Sequence, residues 1–226
     1  MDILKTEDIR QIFKNKYLNK EIRVVNGIET IEIQNAHFVV DKPYILREPN
    51  YGYVKRELEW YDSKSLYVKD IPGITPKIWE NVASNTGEIN SNYGWCIYSA
   101  ENYNQFTKCI DTLKRSKHTR QACMIYNRPS MQYDWNTDGM SDFMCTYSVQ
   151  LFINEREGTD YLDYIVYMRS NDAVFGFNND ACWHLEVMNR CVDALKETYT
   201  NIKCGNLYWN AASLHVYSRH FNLLSE

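Results

Sequence analysis

The chain has 226 residues, enough to bury a substantial core in one domain. Its 25 lysines and arginines against 29 aspartates and glutamates leave a formal charge of -4 with no long basic run, so a nucleic-acid backbone finds little to bind, whereas a small anion needs only a few arginines. No apolar stretch approaches the roughly 20 residues that span a bilayer, and residues 1–16 lack the apolar centre of a signal peptide, which points to a cytoplasmic protein with neither a membrane nor a nucleic-acid partner.

Thr6 precedes Glu7 and Asp8, and Ile9, Ile12, Phe13 and Tyr17 recur at helical spacing, which predicts a first helix capped at Thr6 with acids near its positive end. Residues 22–25 and 28–33 flank Asn26-Gly27, the dipeptide that most easily supplies two positive φ values, and read as a hairpin. A further strand is expected over residues 38–40. Helices are expected over residues 53–61, 76–83 and 103–113; Pro76 opens the second, and Tyr103, Phe106, Cys109, Ile110 and Leu113 form one apolar face of the third. From Ala122 onward the pattern turns strand-rich, with strands over residues 122–126, 145–153 and 162–168 and a hairpin loop over 154–160. A long helix fits residues 181–198, followed by two strands over 207–209 and 214–217. Strands that are sometimes adjacent and sometimes separated by helices predict one α+β domain over residues 1–226, with a mixed β-sheet flanked by helices.

Seven cysteines stand singly with no Cys-x-x-Cys spacing and five histidines are scattered, so neither a disulfide framework nor a zinc site is indicated and no metal is expected. Cys145 taken alone reads as a small buried strand residue. As a nucleophile it needs help, since a free thiol with a pKa of about 8.5 is only a few per cent thiolate at neutral pH; Arg169 is the candidate guanidinium. The stretch from Arg169-Ser170 to Asp180 begins with a guanidinium and a hydroxyl, which suit a phosphate, and ends beyond a Gly/Asn-rich turn with a carboxylate that can read the edge of a base. Asp180 equally suits the N-cap of the helix that follows it. His215 and Tyr217, two apart on a strand, share a face, either as ordinary strand aromatics or as a pair reaching one ligand. Together these segments suggest a nucleotide-handling enzyme.

Other segments extend the pattern: Glu57-Leu58-Glu59-Trp60, then Ile78-Trp79 followed by Gly87 and Asn92-Tyr93-Gly94-Trp95, then Arg120. With Arg169-Ser170-x-Asp172 and His215-x-Tyr217 they resemble, in order, the thymidylate synthase superfamily, and within it the deoxycytidylate-hydroxymethylating branch of tailed phages that modify their cytosine. The resemblance implies a thymidylate synthase-like fold and a one-carbon transferase that uses 5,10-methylenetetrahydrofolate and no metal. It also implies a homodimer in which Arg120 reaches the partner's phosphate site. Cys145 would then add to C6 of the pyrimidine and Glu57 would organise proton transfers and the attacking water. Arg169, Ser170 and Arg120 would hold the 5′-phosphate, and His215 and Tyr217 the 3′-hydroxyl. Trp79, Asp172 and Tyr93 would border the folate, although Trp79 taken alone also reads as core, and Glu57 as a surface helix residue.

Asp180 selects the branch. Thymidylate synthases carry asparagine at that position, whose amide complements the O4 and N3-H of uracil; cytosine presents an amine and a bare N3 instead. A carboxyl group accepts from the amine and shares a proton with N3, whereas a mismatched buried pair costs on the order of 1 to 3 kcal/mol, so Asp180 favours dCMP over dUMP. The product expected is 5-hydroxymethyl-dCMP, formed when water traps the transferred methylene. The competing readings are a thymidylate synthase or dUMP hydroxymethylase, and a non-catalytic nucleotide or RNA binder on the same fold. This sequence departs from the family pattern in three places: Met144 replaces the proline before the nucleophile, Gln121 follows Arg120 where a second arginine is common, and few residues follow His220. The last departure implies a folate pocket more open to water.

Overall fold

The computed structural model describes residues 3–225, gathered into two compact units, one of Met1–Pro49 with Asn154–Glu226 and one of Asn50–Ile153.

The first unit is built on a mixed sheet. Its opening helix α1 (Thr6–Leu18) buries Ile9 and Phe13 as its periodicity requires, but the cap sits one residue earlier than expected. The Lys5 N–H donates to Asp8 Oδ2 at 2.8 Å, while the Thr6 hydroxyl is drawn off to Asp41. β1 (Arg23–Val25) and β2 (Ile28–Val39) form the expected hairpin, with φ of 50° at Asn26 and 79° at Gly27. β2 runs on through residues 38 and 39, so the separate strand expected there is the end of β2. It pairs antiparallel with β7 (Lys203–Tyr217), and β7 pairs in parallel with β5 (Thr159–Met168), which makes the sheet mixed. β7 is one 15-residue strand where two were expected; its polar middle hides a continuous ladder that both neighbours complete.

β4 (Thr146–Arg156) meets β5 at Glu157 and Gly158, with φ of 53° and 74°, so the expected seven-residue loop closes to a two-residue turn. The ladder between β5 and β7 slips between Leu162 and Tyr164. Asp163 occupies the slip, buried, accepting from Asn206 N at 2.7 Å, Asn154 Nδ2 at 2.8 Å and Arg156 Nη2 at 2.6 Å. A Cβ on Gly205 would fall 2.2 Å from its Oδ1, so only glycine lets the two strands close around this carboxylate. The two-residue strand β6 (Asn171–Asp172) then lies in parallel against the far end of β7, pairing Asn171 with Leu214 and Asp172 with His215. The helix that follows is numbered α7 (Gly176–Leu195); it starts five residues earlier than expected and sets Phe177 edge-on to Trp209, with ring centroids 5.1 Å apart. Asp180 is therefore the fifth residue of the helix, and the N-cap alternative is excluded by position.

The second unit contains α2 (Tyr51–Ser63), α3 (Lys77–Val82), α4 (Tyr93–Tyr98), α5 (Gln105–Arg115), β3 (Cys123–Ile125), the short α6 (Met131–Asp134) and β4 as far as Ile153. β3 pairs antiparallel with β4, Cys123 opposite Gln150. α5 begins two residues later than expected because Tyr103 and Asn104 take positive φ values, 62° and 44°, and Asn104 caps the helix instead of joining it. α4 was not expected. Fully buried Asn92 starts it, accepting from Trp95 N at 2.8 Å and donating to the carbonyls of Trp60 and Ser65. The α+β class with a mixed sheet is thus borne out, and no helix among the described residues is long and apolar enough to cross a membrane.

Gly94 explains how α4 fits. A Cβ there would lie 1.8 Å from the Tyr61 carbonyl oxygen, so backbone meets backbone where α4 crosses α2. Gly94→Ala is expected to lower the unfolding free energy by about 3 kcal/mol or more, measured by urea denaturation, because neither partner is a side chain that can swing away.

Candidate active site

In the second unit the chemistry centres on Glu57, on the buried face of α2 with Val54, Trp60 and Tyr61. Its Oε1 accepts a short hydrogen bond from the Tyr53 hydroxyl and a longer one, 3.3 Å, from Trp79 Nε1, which also donates to the Tyr53 oxygen at 2.8 Å. Burial pushes the Glu57 carboxyl up to about 7 even though both donors pull the other way. A carboxyl poised there exchanges a proton readily at neutral pH. Tyr53, pushed well above its ordinary value by burial and by the Glu57 charge, stays a donor. Sequence reasoning missed Tyr53; its spacing of four residues before Glu57 on one helix face was the available signal.

Trp79 is half-buried and edge-on to Trp60, with centroids 5.2 Å apart. Trp60 stacks on Tyr61 and Tyr61 on Tyr93, so Trp79 and Tyr93, the two aromatic residues expected to border the folate, stand at the ends of one continuous packed row. Tyr93 is itself only 3% exposed. Cys145 is half-buried immediately ahead of β4, its Sγ 3.8 Å from the Phe143 carbonyl oxygen. The segment leading to it is anchored by Asp142, a residue the sequence reading passed over. Asp142 is buried and accepts from Asn90 N at 2.7 Å, Ser91 N at 2.8 Å and Ser91 Oγ at 2.7 Å, while Asn90 Nδ2 donates back to its carbonyl at 3.1 Å. Buried Met144 directly precedes the thiol, and the clamped aspartate stands two residues before it. Arg120 is exposed between α5 and β3, where its carbonyl accepts from Gln150 Nε2 at 3.3 Å.

In the first unit, Arg169 and half-buried Ser170 lie between β5 and β6, and β6 sets Asp172 beside His215. Asp172 Oδ1 accepts from Val174 N at 3.1 Å, leaving Oδ2 as an acceptor for a ligand N–H. His215 and Tyr217 share a face, ring centroids 4.8 Å apart and edge to face. The Ser213 hydroxyl donates to Glu32 Oε1 at 2.5 Å, so its oxygen is what accepts from His215 Nδ1 at 3.3 Å; the network thereby assigns the proton to Nδ1 and leaves Nε2 as acceptor. Burial lowers the His215 pKa, and the Arg169 charge adds to this against the opposing pull of Asp172 and Glu32. A neutral imidazole of this tautomer suits a sugar hydroxyl. Arg219 stacks over the Tyr217 ring at 4.7 Å and Arg47 over Phe175 at 5.0 Å, two guanidiniums that composition alone could not place. Asp180 receives the Asn171 amide, Nδ2 to Oδ2, at 2.7 Å. Among the described residues no cluster of three or more histidine, cysteine or acidic groups is placed to hold a metal.

A family model described as thymidylate synthase matches residues 6–226. The chain is 53% identical over 200 residues to the deoxycytidylate 5-hydroxymethyltransferase of Enterobacteria phage T4, covering 88% of this chain and 80% of that protein, and equally to the enzyme of that name from phage T6. Its identity to the thymidylate synthase of Bacillus atrophaeus is 25% over 177 residues, covering 75% of this chain and 71% of the relative.

The Glu57 carboxyl binds its proton more tightly in the folded chain than in the unfolded one, so its burial costs nothing below about pH 4.5 and destabilises increasingly up to about pH 7. Glu57→Gln, which cannot ionise, is expected to gain about 3 kcal/mol of stability relative to the parent between about pH 4 and about pH 8, measured by denaturant unfolding. An offset that does not change with pH would rule out this titration.

Proposed function

Because the chain belongs to the thymidylate synthase family, we propose that it transfers a one-carbon unit from 5,10-methylenetetrahydrofolate to C5 of dCMP and adds water there, giving 5-hydroxymethyl-dCMP and tetrahydrofolate. The folate supplies an electrophilic methylene when bound. Everything else falls to side chains. Cys145 adds as thiolate to C6 of the pyrimidine, which makes C5 a carbon nucleophile, and leaves again when the product forms. Glu57 holds and returns protons as C5 loses its hydrogen and water joins the transferred carbon, a role its near-neutral carboxyl and its two fixed donors support.

Arg169 and Ser170 hold the 5′-phosphate, with Arg120 of the partner subunit completing the site in a homodimer; guanidinium forks suit phosphate oxygens, and the exposure of Arg120 leaves it available. His215 Nε2 accepts from the 3′-hydroxyl and Tyr217 lies on the same face. For the folate, Asp172 offers Oδ2 to pterin N–H groups and Trp79 offers its ring, which Tyr93 supports through Tyr61 and Trp60.

The observation that carries dCMP over dUMP is the carboxylate of Asp180, held by an amide donor. A dUMP-converting enzyme would need an amide there. Mass spectrometry of the reaction with dCMP and methylenetetrahydrofolate is expected to find a product heavier than dCMP by one formaldehyde unit, abolished by Cys145→Ala. Asp180→Asn is expected to move the preference toward dUMP by about 5- to 150-fold. Undiminished discrimination against dUMP in that variant would remove Asp180 as the base-reading residue.

A further inference from the structure

One turn before Glu57 on α2, the half-buried Tyr53 is held at its backbone, its ring and its hydroxyl. Its N–H donates to Oδ1 of Asn50, the residue that caps the helix, at 3.1 Å. Over its ring lies the Arg56 guanidinium, 5.5 Å from the centroid. Arg56 is tied in turn through Nη1 to the carbonyls of Pro72 and Ile74, at 2.8 and 2.9 Å, and a Cβ on Gly73 between them would stand 2.9 Å from that nitrogen. Trp79 Nε1, from α3, donates to the hydroxyl oxygen at 2.8 Å. With its oxygen accepting from the indole, the hydroxyl turns its own proton to Glu57.

Both donors on Glu57 reach the same oxygen. The Tyr53 hydroxyl and Trp79 Nε1 donate to Oε1, whereas Oε2 accepts from no described residue. A carboxyl engaged twice through one oxygen cannot rotate without giving up both bonds, so the other oxygen keeps a fixed direction. Removing the phenol hydroxyl alone would leave only the indole contact, which at 3.3 Å is long for an N–H donor, and the carboxyl would be able to turn.

We propose that Tyr53 is a positioning residue for the one-carbon transfer: its hydroxyl occupies Oε1 of Glu57 and so reserves Oε2 for exchanging protons with substrate and water, while Arg56 and residues 72–74 hold the phenol in place. This rests on the reading of Glu57 as the proton-handling group. Burial raises the Glu57 carboxyl to about 7, and the Tyr53 hydroxyl, ahead of Trp79, restrains it, so loss of that hydroxyl raises it further. Around Glu57, α2 presents Tyr53 and, across its ring, Arg56. α3 presents the Trp79 indole, which does not titrate, while its Lys77 and Glu80 are exposed and paired with each other at 3.0 Å. Tyr61 of α2 and Tyr93 of α4 lie further along the aromatic row.

The test compares the parent, Tyr53→Phe, Glu57→Gln and an enzyme carrying a fluorinated tyrosine at position 53, by kcat and KM for dCMP as a function of pH. In Tyr53→Phe, kcat is expected to fall about tenfold with KM for dCMP within about twofold of the parent, and the inflection that Glu57 gives the kcat profile to move up by roughly one pH unit. The fluorinated tyrosine, a stronger donor of nearly the same volume, should move that inflection down, and it carries the test if the phenylalanine variant does not fold. Denaturant unfolding reads the same carboxyl without turnover: the stability gained by Glu57→Gln should go on growing to about one pH unit higher in the Tyr53→Phe background. If either the inflection or this stability difference keeps the parent's pH, Tyr53 is merely structural and the proposal is overturned. That result, together with loss of turnover in Glu57→Gln, leaves the function standing without the proposal; full turnover in Glu57→Gln overturns the role of Glu57 and the proposal with it.

Discussion

A carboxylate withdrawn from water must find donors or give up its charge, and this constraint recurs wherever the chain does something unusual. Asp163 holds the slipped ladder between β5 and β7 open with three donors and a glycine opposite. Asp142 gathers two backbone N–H groups and a hydroxyl to fix the approach to Cys145. Glu57 has two donors that do not fully offset its burial, so its proton affinity stays near neutrality. The same functional group is thus a strand clamp at Asp163, a loop anchor at Asp142 and a carboxyl with a near-neutral pKa at Glu57, and the number and kind of donors decide which.

Shape is set by close backbone approaches as much as by the core. Gly94 lets α4 meet the Tyr61 carbonyl, and from that crossing follows the aromatic row Tyr93, Tyr61, Trp60 and Trp79, whose last member reaches Glu57. A motif that looked like a ligand-facing segment therefore acts first through packing. In the other unit, pairing β6 with the end of β7 carries Asp172 to His215, and the proton assignment on His215 follows from Glu32 on the neighbouring strand β2, two hydrogen bonds away through Ser213. The orientation of the His215 ring is here the work of Ser213 and Glu32.

Much was legible from residue order. The Asn26-Gly27 hairpin, the amphipathic α1 and the buried face of α5 followed from local rules, because two positive φ values or a repeating apolar stripe leave few alternatives. Boundaries fared worse. β7 was expected to start late because of Gly205 and Asn206 and to break at Asn210, yet these positions are satisfied by Asp163, Tyr208, His37 and the Val166 carbonyl, partners far away in sequence for the most part. α4 was missed because six residues carry too little periodicity, and its cap depends on carbonyls about 30 positions upstream.

By itself the sequence determined which chemical groups are present and in what order: a thiol, an arginine with a hydroxyl, an acid beyond a Gly/Asn-rich turn, a histidine and a tyrosine two apart. Those are facts of covalent structure and of the two-residue repeat of a strand; alone they indicate a nucleotide-handling enzyme, and the resemblance to the thymidylate synthase family narrows this to a pyrimidine one-carbon transferase. Only the tertiary structure decided what state each group is in. Burial, the link from Glu32 through Ser213 that sets the tautomer of His215, and the Trp79 donor on Glu57 come from residues distant in the chain, and electrostatics reads distance in space rather than position in sequence.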